Sequence, residues 1–98
     1  MESEALAADL AARALGAGPL YELDIFLRRE VNRFLGTQAT GQNLLALQAS
    51  LISVSRAWLN KNMWPDEGVT SHVTTPDVFL SVPYRGSRLE FRFTLGGR

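Results

Sequence analysis

The residues with the widest chemical repertoire lie close together in the second half of the chain. They are a single histidine, His72, with Asp66 and Glu67 before it, Asp77 after it, and the hydroxyls of Ser71 and Thr74 around it. An imidazole beside a hydroxyl suits nucleophilic catalysis if the two can meet. Ser71 and His72 are adjacent in a stretch that reads as strand, where neighbours point to opposite faces, so this spacing forbids the contact. Carboxylates with an imidazole also suit a divalent cation. Neither a paired-histidine helix spacing nor a calcium-loop spacing is present, and the residues read as a solvated loop and an exposed strand histidine. Gly16-Ala17-Gly18 precedes a helix but lacks the strand before it and the lysine after it that a phosphate-cradling loop uses. No catalytic, cofactor-binding or metal-ligating residue is assigned, and the expectation is a protein without a cofactor that is not an enzyme.

The arginines and large aromatics are more suggestive of contacts than of catalysis. Residues 1–27 carry one basic and five acidic groups, residues 28–61 carry five basic and one acidic, and residues 62–98 carry four of each, so the zero net charge is an average. Arg28, Arg29 and Arg33 form one basic cluster, and Arg85, Arg88, Arg92 and Arg98 another. Nucleic-acid contact through Arg28, Arg29 and Arg33 is one reading; solvated faces and salt bridges between subunits are the ordinary one. Zero net charge removes the long-range attraction that binders of nucleic acid or anionic membranes use. Trp58 falls on an apolar stripe and reads as core. Trp64 and Tyr84 sit in or beside breakers, as lids over the core or as contact anchors. The candidate interface residues are therefore Trp64, Tyr84, Arg85, Arg88, Glu90 and Arg92.

The elements that position these residues follow from periodicity. Ser3 to Leu15 read as a short alanine-rich helix capped by Ser3, with Leu6 and Leu10 on a thin apolar stripe. A second helix is expected from Pro19, with Leu20, Leu23, Leu27, Val31 and Phe34 at spacings of three and four; Asp24 with Arg28 and Glu30 with Arg33 are expected ion pairs. A third runs from a Thr40 cap to about Lys61, with Leu44, Leu47, Leu51, Val54 and Trp58 in its stripe and Leu45, Ile52 and Leu59 widening it. Helices two and three should pair as an antiparallel hairpin. Residues 62–68 contain a proline, a glycine and no helical period, and read as a connecting loop. From Val69 on, β-branched residues dominate; Pro83 to Ser87 read as a turn, and Leu89, Phe91, Phe93 and Leu95 alternate with Arg88, Glu90, Arg92 and Thr94. Gly96-Gly97-Arg98 reads as a flexible end. The predicted fold is α+β: a helical part, 1–61, packed on a small C-terminal antiparallel sheet or hairpin, 69–98, in one domain.

Length and composition bound the rest. A chain of 98 residues with no cysteine builds one modest core without disulfide help, which leaves oligomerisation or docking as the remaining source of stability. The acidic start MESEALAADL is unlike a signal peptide, and no run is long and apolar enough for a membrane span. The expected location is the cytoplasm at synthesis, or incorporation into a particle, with no membrane partner.

The closing stretch VTTPDVFLSVPYRGSRLEFRFTLGGR, about a quarter of the chain, resembles in layout the small assembly proteins of bacteriophage tails, head-to-tail connectors and contractile injection machines. There a helical body is followed by strands that pair with a neighbouring subunit. The resemblance is architectural and implies a structural or adaptor subunit whose partners are copies of itself or neighbours in a larger assembly. FLRREVNRF and SLISVSRAWL look a little like helices near the end of dynein heavy chains, but the spacing differs and that likeness is set aside. The expected function is non-enzymatic assembly, ahead of a nucleic-acid-binding regulator and of a metal-dependent enzyme.

Overall fold

The structure, a computed structural model, describes residues 2–4, 18–35 and 40–95. Its elements in chain order are β1 (Glu2–Glu4), α1 (Gly18–Phe34), α2 (Gly41–Lys61), β2 (Thr70–Thr74), β3 (Asp77–Tyr84) and β4 (Ser87–Thr94). The α+β class is as the sequence predicts, with a correction: there are two helices among the described residues, not three. Ser3 and Glu4, the expected start of a first helix, lie in β1 instead; residues 5–15 of that helix, like the glycine-rich end 96–98, fall outside the described residues. An isolated alanine-rich helix with a thin apolar stripe is weakly held. Pairing Glu2 with Thr94, Ser3 with Phe93 and Glu4 with Arg92 instead satisfies backbone groups on one edge of β4.

Helix α1 forms where Pro19 follows Gly18, and its predicted stripe of Leu20, Leu23, Leu27, Val31 and Phe34 is buried throughout. Asp24 and Arg28 pair at 2.8 Å, and Glu30 and Arg33 at 3.3 Å, both as the spacing requires. Helix α2 opens on Thr40, whose side chain accepts from the Asn43 amide at 3.2 Å. The two helices are joined by a Ser50 hydroxyl that donates to Glu30 at 2.5 Å and a Lys61 ammonium 2.5 Å from Glu22. Leu47, Leu51, Trp58 and Leu59 are buried, together with Ser55, which returns its hydroxyl to the Leu51 carbonyl at 2.8 Å. One member of the expected face departs from it: Leu45 is 68% exposed.

Helix α2 ends in a Schellman motif. The Trp64 amide donates to Leu59 O at 2.9 Å and the Met63 amide to Asn60 O at 3.0 Å, with Met63 at φ 62° in the left-handed position that glycine usually takes. The loop then carries the chain to an antiparallel sheet of order β1-β4-β3-β2. The β2 to β3 turn holds a cis Thr75-Pro76 bond. The β3 to β4 turn is tighter than predicted: Pro83 and Tyr84 belong to β3 and Ser87 to β4, so the loop is Arg85-Gly86, at φ 52° and 81°. Two successive positive φ values match the twist of a two-residue hairpin, and glycine supplies the second at no steric cost. β2 begins at Thr70, opposite Ser81, so Pro83 has only β4 beside it.

Strand alternation divides the sheet. Val78, Leu80 and Val82 of β3 face Phe93, Phe91 and Leu89 of β4, and all six are buried beneath the helices. Half-buried Val69, Val73 and Leu95 extend that layer. No helix among the described residues is long and apolar enough to cross a membrane.

Candidate functional site

The sheet face turned away from the helices is built from the residues that alternate with the core. Its rows run across β2, β3 and β4: Thr70, Ser81 and Glu90; His72, Phe79 and Arg92; Thr74, Asp77 and Thr94. At its centre the His72 and Phe79 rings stack at 4.7 Å and 10°. The His72 side chain is exposed, while Phe79 is half-buried by its neighbours. Around this pair several polar groups hydrogen-bond to one another. Ser81 donates to Glu90 at 2.9 Å and accepts from Arg88 Nε at 2.6 Å, Arg88 Nη2 donates to the Gly68 carbonyl, and Thr94 donates to Asp77 at 2.8 Å.

Of the predicted interface residues, Arg88, Glu90 and Arg92 share this outer face as expected. Arg88 also brackets the strand ends, holding both Ser81 and the loop carbonyl of Gly68. Trp64, Tyr84 and Arg85 gather elsewhere, at the β3 to β4 turn. Trp58, Trp64 and Tyr84 form a ring cluster with centroids 5.1 to 5.9 Å apart. Trp58 Nε1 donates to Pro19 O at 2.8 Å, so the cluster ties the start of α1, the end of α2, the loop and the hairpin into one corner. Trp64 and Tyr84 are thus half-buried lids packed on the core, with an open flank where Trp64, Pro65, Pro83, Tyr84 and Arg85 line a cavity of about 230 Å³. The Arg85 guanidinium lies 6.0 Å from the Tyr84 ring centroid.

The alternative nucleic-acid residues sit on α1. Arg28 is paired with Asp24, Arg33 with Glu30, and the Arg29 guanidinium stands 5.8 Å from the Phe26 ring centroid. Ser71 and His72 point to opposite faces, Ser71 inward, where it donates to Phe79 O at 2.6 Å and accepts from Gln48 at 3.3 Å. Asp66 accepts from Arg56 at 3.3 Å and Asn60 at 3.2 Å. Those hydrogen bonds, led by that from Asn60, hold its carboxyl below the usual carboxylate range against a smaller opposing effect of desolvation. Among the described residues, no group of three histidine, aspartate or glutamate side chains comes together as a metal site.

Sequence reasoning missed the His72 and Phe79 pair as a unit, although their places on the same side of two alternating strands were readable once the register was known. No family model, no curated protein and no solved structure matches this chain.

Proposed function

We propose that this domain is a non-enzymatic structural or adaptor subunit that works by protein–protein contact through the outer face of its sheet. One observation carries the reading. Both helices cover the same side of the sheet, and the other side presents a stacked aromatic pair, His72 and Phe79, framed by arginines and a glutamate. An aromatic centre with a hydrogen-bonded polar rim is the composition of a protein contact surface. A phage-tail-like or injection-like particle is the setting that the layout of the closing strands suggests.

The test is to purify the tagged full chain under native conditions and measure its mass by light scattering across concentration, alone and with whatever co-purifies at fixed stoichiometry. An oligomer or a stoichiometric protein complex that is weakened by Phe79→Ser supports the proposal. A chain that stays monomeric at high concentration and retains no stoichiometric partner overturns it.

A further inference from the structure

Besides its outer face, the sheet has an open edge that bears on assembly. β2 ends the sheet on one side, and no other strand among the described residues pairs with it. Natural edge strands are blunted by lysines, prolines, bulges or inward charges. β2 reads Thr70-Ser71-His72-Val73-Thr74, with no lysine, arginine, aspartate, glutamate or proline, and pairs with β3 over all five residues without a bulge.

The helix beneath this edge is also unfinished. α2 packs on β2 and β3 and touches β2 through Gln48 and Ser71. Ser50 of α2 reaches α1. At 3.6 residues per turn, Leu45, Ala49 and Ile52 lie on the flank beyond Gln48 that is turned away from α1, followed one turn later by Arg56, which is paired with Asp66. That flank holds Leu45, a large apolar side chain that is 68% exposed. An open strand edge and an apolar helix flank therefore face the same direction.

We infer that the partner on this edge is a second copy of this chain, paired antiparallel through β2 about a two-fold axis at His72. This deepens the assembly reading and rests on it. The register that pairs all five residues sets Thr70 opposite Thr74 of the second copy, Ser71 opposite Val73, and His72 opposite its own equivalent. It keeps the inner and outer faces continuous. Spacing agrees. Strands lie about 4.8 Å apart, and α2 sits over the seam between β2 and β3, so the two α2 axes are about 10 Å apart, within helix packing distance. Ala49, one residue past Gln48, lies near the axis, where a small side chain permits close approach, and Leu45 and Ile52 on either side fill the seam. Neither edge carries a lysine, arginine, aspartate or glutamate, so no permanent like charges are set against each other.

Three variants of the full chain test the register by light scattering and sedimentation, with thermal melts to establish folding; Thr70, Thr74 and Leu45 are all exposed in the monomer. The wild type is expected to be dimeric. The Thr70→Lys/Thr74→Lys pair sets lysines against each other in both copies, and Leu45→Glu places a charge in the seam; each should weaken the dimer by about tenfold or more. Thr70→Lys/Thr74→Glu sets opposite charges across both contacts and should remain dimeric. As a readout independent of these variants, His72→Cys gives the cysteine-free chain one thiol on the axis, which should close a disulfide between copies on oxidation. A monomeric wild type overturns the inference, as does a dimer that is indifferent to both disrupting variants or gives no disulfide. An oligomer or complex that ignores the β2 variants but yields to Phe79→Ser removes this inference and leaves the assembly reading standing. A monomer with no partner removes both.

Discussion

Phe91 and Phe79 are the same residue type on adjoining strands, and they show how alternation divides one sheet into two kinds of surface. Phe91 points inward against Leu80 and lies with its ring 6.2 Å from that of Phe93, fully covered by the helices. Phe79 points outward, stacks on His72 and is only half-buried. The inner face is a jigsaw in which each atom removed leaves a hole. The outer face has local pairs that solvent or a partner can replace. Stability is thus concentrated on one side of each strand.

The largest effect expected from this contrast is Phe91→Ala, which should cost about 3–5 kcal/mol in urea unfolding. Phe79→Ala should cost about 1 kcal/mol or less, since it deletes one cross-strand ring pair on an open surface. Equal losses would show that both faces are core, and that the outer face is covered by something in the folded state.

A matching pair on α2 sharpens the same point. Leu51, buried at the centre of the helix stripe, should lose about 2–5 kcal/mol on truncation to alanine. Leu45→Ala, six residues earlier and mostly exposed, should stay within about 0.5 kcal/mol for the monomer. A Leu45→Ala loss that grows with protein concentration would place that side chain in an interface instead.

Smaller and opposite in sign is Met63→Gly. Met63 holds φ 62° at the end of α2, with its side chain 90% exposed, so the side chain brings steric cost and little burial. Glycine takes this backbone conformation without a Cβ clash, and the variant should gain about 0.5–1 kcal/mol, read as a raised Tm. No gain would mean that the methionine side chain has contacts that offset the strain, and the end of α2 would then belong with the packed regions.

How far the sequence could be read follows from which interactions are local. The stripe of α1, the Thr40 cap, the Asp24 and Arg28 pair and the alternation in β4 depend on residues within four positions of each other, and periodicity reveals them. Ser3 and Glu4 were legible as a helix start by local preference, but the edge of β4, some ninety residues away, pairs with them; such a contact has no local signature. The exposure of Leu45 depends on which way α2 rolls over the sheet, and its spacing alone fits a wide face. The candidate surface was half legible. Glu90 and Arg92 followed from alternation, whereas the bracket made by Arg88 and the Trp58, Trp64 and Tyr84 corner join segments that only the folded chain brings together.

The smallest effect lies at the rim, outside both faces, where Asp66 closes the loop onto α2. Its carboxyl is held below the ordinary range chiefly by the Asn60 amide, with Arg56 adding to the effect and desolvation opposing it. A depressed carboxylate favours the folded state at pH above its unfolded value, about 3.9, and that contribution is lost as pH falls through the lower, folded value. Asn60→Ala removes the largest cause, so the folded value should rise toward the unfolded one, and the part of the acid-induced loss due to Asp66 should shrink. The check is a side-chain carboxyl NMR titration of Asp66 in both proteins, with Arg56→Ala as the companion. A titration unchanged by Asn60→Ala but raised by Arg56→Ala would make the ion pair the dominant contact. The loop would then be held by charge, would loosen as salt screens the pair, and would differ in kind from the salt-tolerant packing of the inner face.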